Sequence, residues 1–498
     1  MKNGKKLMSL MIAAMLSVMV FAGCSGASSA SSASSSESSA TVASSVSASA
    51  SGSAPSAPPD GGGSGSAPSA PPDGAPGGAP GGAPGGAPGG GTSDFEYTAA
   101  TQISAADTQD GQAYSSTTTD ESALIVNTSD QVNLSNIALT KSGDSNGGDS
   151  CNFYGLNAGL LVMGGSATTI SGGTVETSAD GANGIFSYGG NGAQNGGEGD
   201  GTTVNVSDVT ITTTGSGSGG IMTTGGGVMN ANNLTVTTSG GSSAPIRTDR
   251  GGGTVNVTGG TYTSNGLGSP AIYSTADIAV KDATLVSNLS EGVCIEGKNS
   301  IALTNCDLTA NNTKCNGNAT FYDSIMIYQS MSGDADSGTS SFTMTGGTLT
   351  SKNGHVFHVT NTNAIINLDG AKIVNEDAAN VLLSVCDDGW SGASNVATLN
   401  ATGQELSGTM LVGDNSTLTL NLTGGSTFTG AISGEIQNAN GETVSTEVGT
   451  VNVTLDSSST WNLTADTYVT SFEGDAANVI SNGHTLYVNG VALSGTSA

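Results

Sequence analysis

A nine-residue pattern recurs along the C-terminal four-fifths of this chain, and a recurrence at that spacing leaves few folds open. Val132-Asn133-Leu134-Ser135-Asn136-Ile137-Ala138-Leu139-Thr140 matches Val204-Asn205-Val206-Ser207-Asp208-Val209-Thr210-Ile211-Thr212. Both match Val255-Asn256-Val257-Thr258-Gly259-Gly260-Thr261-Tyr262-Thr263, with further copies near Ile278, Ile301, Phe342, Ile366 and Leu418. Apolar and polar residues alternate at period two, which marks strands. The copies lie roughly 21–26 residues apart, farther where loops intervene, which is the spacing of a solenoid.

A second motif falls between the copies: Asn183-Gly184-Ile185-Phe186-Ser187, Gly219-Gly220-Ile221-Met222-Thr223, Ala244-Pro245-Ile246-Arg247-Thr248 and Pro270-Ala271-Ile272-Tyr273-Ser274. Each turn of chain therefore carries about three short strands joined by corners. Gly, Asn and Asp at those corners supply the positive φ that tight bends need. The expected fold is all-β: a single-stranded parallel β-helix of eleven or twelve turns, roughly 55 Å long at about 4.8 Å per turn. Its domain is expected over 94–498, with terminal capping rungs from about 451. Aromatics at 4% and charged residues at 10%, against roughly 25% charged in ordinary domains, agree with many thin layers of small residues. A set of Ig-like sandwiches would show longer strands without turn-by-turn register.

The N-terminal segments read as address and tether. Lys2, Lys5 and Lys6 precede an apolar stretch from Leu7 to Phe21, too short for a confident membrane span. The stretch ends in Ala22-Gly23-Cys24, which resembles the lipobox of bacterial lipoproteins. That resemblance implies a signal peptide over 1–23 and a diacylated Cys24 holding the protein at the outer face of the cell membrane. Residues 24–93 are Ser/Ala-rich and then Pro/Gly-rich, lacking the apolar content to offset chain entropy. They are expected to form a disordered tether with a reach of about 45–50 Å into the cell wall. The net charge of −29 disfavours a nucleic-acid partner.

In repeat length and in its Gly-Gly-Thr-x-Thr corners the body resembles right-handed, pectin-lyase-like parallel β-helix proteins. The Trp461 to Gly490 segment resembles the terminal rungs of autotransporter-type adhesin passengers, although no outer-membrane barrel follows it. The whole resembles adhesin-like surface lipoproteins of Gram-positive bacteria. These resemblances imply a right-handed coil and a lipid-anchored, adhesin-like or glycan-binding protein. A polysaccharide lyase or glycoside hydrolase is the first alternative, and a self-associating coat protein the second. A polysaccharide, a host or cell-wall glycan, or a surface protein is the partner implied.

Candidate site residues follow from aligning the second motif on its inward aliphatic position. One outward column then runs Phe186, Met222, Arg247, Tyr273, Cys294 and Met326, and its neighbour Tyr188, Thr224, Asp249, Thr275, Glu296 and Tyr328. Only 11 residues are Lys or Arg, so a patch of Arg247, Asp249, Arg250, Tyr273, Asp277 and Glu296 stands out. Tyr188, Tyr273 and Tyr328 offer flat faces to sugar rings, and the charged groups offer hydrogen bonds to hydroxyls. Asp249 and Glu296, two rungs and about 9–10 Å apart, approach the carboxylate separation of inverting glycosidases. Asp387-Asp388 resembles the double Asp of β-helix galacturonases, without that family's other strings. No metal site is expected: there is no Cys-x-x-Cys, and His355 and His358, three apart on a strand, should face opposite sides. Ca²⁺ is indicated by no motif and no other cofactor is implied. Acylation of Cys24 leaves five cysteines, which read best as small buried stack residues, with a Cys306–Cys315 loop closure as the alternative.

Overall fold

The computed structural model describes residues 96–192, 198–330 and 332–498. Cys24, the signal segment and the tether lie outside the described residues. The described chain is a parallel β-helix. Thirteen strands stack into one parallel sheet, from Thr98–Ile103 at one end to Ile432–Ser433 at the other. A second sheet of 22 strands closes the coil, with two strands from most turns. In one such turn Ile221–Thr224 belongs to the first sheet, and Gly227–Asn232 and Thr235–Thr238 to the second.

Register explains how a chain so poor in large side chains builds a core. Ile185, Ile221, Ile246, Ile272 and Val293 are direct neighbours on successive turns, and Ile325, Phe357 and Leu383 continue the column. A parallel column, Val204–Met229–Val255–Ile278–Ile301–Phe342, rises from the second sheet. All of these side chains are buried. Each contributes about 1.5–3 kcal/mol through the apolar surface it removes from water. Outward positions carry Thr and Asn. Thr210, Thr235, Thr261 and Thr284 align, and Asn256, Asn230 and Asn205 form an amide ladder at 3.0 and 2.9 Å.

The corner between the two strands of the second sheet recurs in left-handed geometry. Asp208, Asn233, Gly259, Asp282 and Asn305 hold it with φ between 51° and 66°. Asn and Asp tolerate this conformation and also stack: Asn233 donates to Asp208 at 2.7 Å. At a different corner the constraint is absolute space. A Cβ on Gly240 would lie 1.8 Å from the carbonyl oxygen of Gly215, and one on Gly266 equally close to that of Gly240.

The last turns differ from the rest. Trp461 stacks on Phe428 with ring centroids 5.6 Å apart and donates to the Gly430 carbonyl at 3.0 Å. Leu486–Val488 then pairs antiparallel with Val491–Ala492. That reversal closes the edge of the small three-stranded sheet formed with Thr467–Val469, which would otherwise offer unpaired backbone groups to another strand.

Tyr262 is fully buried in the core and its hydroxyl has no hydrogen-bond partner among the described residues. Replacing it by Phe removes a stranded polar group, so Tyr262→Phe should stabilise the domain by about 1 kcal/mol. Gly240→Ala forces a backbone shift and should destabilise it by about 1–3 kcal/mol. Midpoints of urea unfolding at constant slope decide both; a destabilised Tyr262→Phe would contradict the core described above.

Candidate functional site

The outer face of the thirteen-stranded sheet carries the columns anticipated from sequence. Phe186 pairs with Met222, Met222 with Arg247, Arg247 with Tyr273, and Tyr273 with Cys294, each on adjacent turns. Much of this face is covered, however. Long insertions leave the turns and fold back across it. Residues 142–157 bring the short helix Ser150–Tyr154 over Phe186 and Met222, both fully buried. The Phe153 carbonyl accepts a 2.8 Å bond from Thr224 Oγ1, fastening this insertion to the sheet.

Between that insertion and the segment around Asp334 lies a cleft of about 330 Å³. Arg247, Asp249 and Tyr273 rise into it from two adjacent turns, with Asn152 and Phe153 facing them. Arg247 Nη2 pairs with Asp249 Oδ2 at 2.9 Å, and Nη1 donates to the Ser242 carbonyl at 2.8 Å and to Asn152 Oδ1 at 3.3 Å. The guanidinium lies 5.7 Å from the Tyr273 ring centre. Arg250 grips Asp334 through Nε at 3.0 Å and Nη2 at 2.5 Å, while its guanidinium covers the Phe153 ring at 4.2 Å. The two arginines therefore join three segments remote in sequence. Burial pushes the Asp249 carboxyl up to about 7, against the pull of Arg247 and with repulsion from Asp334 adding to the rise.

Glu296 does not line this cleft. It is buried, and its carboxylate accepts bonds from Tyr273 Oη at 2.6 Å, Tyr328 Oη at 3.1 Å and Ser332 Oγ at 3.2 Å, and from Ser330. Four hydroxyls saturate it, so it braces the segment after Tyr328 from beneath. Burial, followed by the Glu296 charge, pushes the hydroxyls of Tyr273 and Tyr328 well above the ordinary phenol range. The proximity of Asp249 and Glu296 expected from rung spacing thus yields no facing carboxylate pair.

The other candidates separate too. Asp277 opens a strand of the second sheet, exposed, and accepts from Ser300 at 2.6 Å. It left the patch because the chain turns a corner after Ser274. Tyr188 is buried against Tyr154, edge to face at 6.1 Å, and bonds to Asn191. Tyr328 is buried against Trp390 at 4.8 Å. Of the three tyrosines only Tyr273 borders the cleft. No family model matches this chain, and comparison with curated proteins and with solved structures finds no match either.

A second cluster lies farther along the same face, where sequence spacing had separated its members. His355 and His358 both place Nδ1 2.7 Å from Ser384 Oγ. Strict alternation fails here because His355 is the first residue of its strand, directly after Gly354 at φ 82°. His358 Nε2 reaches Asp388 Oδ2 at 3.2 Å. His358 Nε2 faces the Asp388 carboxylate, and the Ser384 hydroxyl bridges the Nδ1 atoms of the two imidazoles. Asp388 Oδ1 accepts from Thr320 N and Oγ1, both at 2.7 Å, and from Gly389 N at 2.8 Å. Asp387 turns away to Asn395 at 2.5 Å, so the two aspartates do not act on one ligand. Ser384 and His358 are fully buried, under Phe321, whose ring lies tilted 4.9 Å from that of His358. The network fastens the 311–322 insertion to the sheet.

Among the described residues no group of three or more His, Cys, Asp and Glu is placed to hold a metal ion. The five described cysteines are free thiols. Cys306 points into the core while Cys315 packs with Cys294 outside the sheet, so the small Cys306–Cys315 loop does not form.

The second cluster contributes to the acid limb of stability. Burial raises the Asp388 carboxyl, but the hydrogen bond and charge of His358, with Thr320 and Gly389, outweigh it and hold the group below 3.8. Its contribution is complete above about 3.8 and is lost as pH falls through the lower folded value. Burial, and then His358, depress His355 from 6.5 to about 3. A base depressed in this way makes folding stability fall as pH drops from about 6.5 towards 3, because the unfolded chain takes the proton first. His355→Gln should flatten that slope. Asp388→Asn should cost about 1–3 kcal/mol at neutral pH and flatten the limb below 3.8. Unfolding free energies measured from pH 7 to 3 test both.

Proposed function

We propose that this chain is a non-catalytic saccharide-binding surface protein whose ligand seats in the cleft beside Arg247, Asp249 and Tyr273. The observation that supports the reading most is the cleft itself. It combines the Tyr273 ring with the Arg247 N–H groups that Asp249, Ser242 and Asn152 leave free and with the acceptor oxygens of Asp249. Sugars present both an apolar C–H face and dense hydroxyls, and ring-plus-fork sites suit them. The volume, near the lower end for small-ligand pockets, fits a short glycan segment.

The same residues speak against hydrolysis and β-elimination. The carboxylate pair anticipated for an inverting hydrolase, Asp249 with Glu296, does not face one ligand, because Glu296 is engaged with four hydroxyls away from the cleft. A lyase needs an available base, and Arg247 is held by Asp249, Ser242 and Asn152. Display belongs to the same proposal. Acylated Cys24 anchors the chain to the outer face of the membrane, and residues 24–93 carry the solenoid into the wall, where many tethered copies give weak contacts avidity.

The full-length, detergent-solubilised chain should be retained on immobilised glycans without releasing unsaturated products or new reducing ends. Arg247→Lys keeps a charge for Asp249 but loses the planar fork, and should weaken retention about tenfold while the chain stays folded at the assay temperature. Turnover of any retained glycan would replace this reading with the lyase or hydrolase one. Unaltered retention in Arg247→Lys would move the site elsewhere.

A further inference from the structure

We infer that the ligand of this cleft carries positive charge, as an amino sugar with a free protonated amine does, and that polyuronates are excluded; this rests on the saccharide-binding reading. The cleft is bordered by four carboxylates, Asp149, Asp180, Asp249 and Asp334, and by one guanidinium, Arg247. Counting also Arg250, which is bound to Asp334, four carboxyl groups stand against two guanidiniums. Each arginine is already matched. Arg247 pairs with Asp249 at 2.9 Å, and Arg250 chelates Asp334. An incoming carboxylate would have to displace one of these partners and sit beside the rest, and like charges brought together at a partly desolvated site are strongly unfavourable.

Among the described residues Asp149 and Asp180 have no cationic partner. Both are exposed at the border of the cleft. The Asp149 side chain makes no capping bond to the helix that follows it. Asp180 Oδ1 accepts from the Ser216 amide at 2.7 Å, which aims the carboxylate without neutralising it. No lysine lines the cleft. Charge of one sign focused in a concave site raises the local concentration of the opposite sign. A bare divalent ion is the poorer fit, since no group of three acidic or thiol ligands converges among the described residues. A ring with an ammonium substituent uses the Tyr273 ring and the carboxylates together.

The test is calorimetric titration of the full-length, detergent-solubilised chain with three probes: oligomers of glucosamine, of N-acetylglucosamine and of galacturonic acid. Glucosamine oligomers should bind about tenfold more tightly than the N-acetylated ones, and galacturonate should not bind. Asp180→Asn keeps an oxygen for Ser216 and removes the charge. It and Asp149→Asn should each weaken glucosamine binding about threefold, the scale of exposed ion pairs, and lessen its salt dependence. Equal affinity for the free and acetylated sugars, or tighter binding of galacturonate, would overturn the charge inference and leave saccharide binding standing. Failure of all three probes would remove the saccharide reading itself. Glucosamine binding that is indifferent to both Asn variants would place the amine away from this border.

Discussion

Everything in this molecule depends on parallel strands stacking without a register slip. Each turn buries only a few aliphatic side chains, which alone could not offset the entropy of ordering some two dozen residues. The next turn supplies the missing partner surface and a full row of backbone hydrogen bonds, so stability accrues between neighbours. A slip of one residue would send Ile246 and Ile272 outward and bring Arg247 and Tyr273 into the core. The left-handed corners at Asp208, Asn233 and Asp282 oppose such a slip, because few other residues tolerate that backbone there. So does the Gly215–Gly240–Gly266 column, where a carbonyl fills the place of each missing side chain.

On so regular a scaffold, individuality comes from what interrupts it. The cleft exists because one insertion, 142–157, lies across turns whose residues are far downstream, and because Arg247 and Arg250 lock it to them. Arg247 ties Asn152 to Asp249 across 95 residues of chain, and Arg250 ties the Phe153 ring to Asp334. The second cluster repeats the device, with Asp388 holding Thr320 and His358 together. Rigid strands fix the side chains that rise from the sheet, and loops fastened by buried polar networks wall them in.

This division also explains what could be read beforehand. Period-two alternation and the recurring corner specify which residues stack, so the Met222–Arg247–Tyr273–Cys294 column is legible from the alignment of short motifs alone. Where an insertion folds is not, because loops carry no period. Phe186, Met222 and Tyr188 look outward by alternation and are buried by a helix whose five residues give no amphipathic signal. Glu296 reads as half of a catalytic pair until Ser330 and Ser332 fold over it. His355 and His358 look opposed until the strand start is seen to break alternation. Ser384, which joins them, stands in an unremarkable Leu-Ser-Val run that no motif distinguishes.

The arginines show why the charge of a site must be counted after its partners are known. In a chain with 11 Lys and Arg residues and 40 Asp and Glu residues, two arginines three positions apart suggest a receptor for anionic polymers. Once Asp249 and Asp334 are placed against them, their net charge is cancelled while part of their donor geometry remains. A paired guanidinium still presents N–H groups in a fixed plane, which suits hydroxyls and offers little to a second carboxylate. The unmatched aspartates at the border then set the sign of the local field. The same reversal applies to any solenoid read from outward columns alone, because the columns name the side chains and only the covering loops decide which charges are left unpaired.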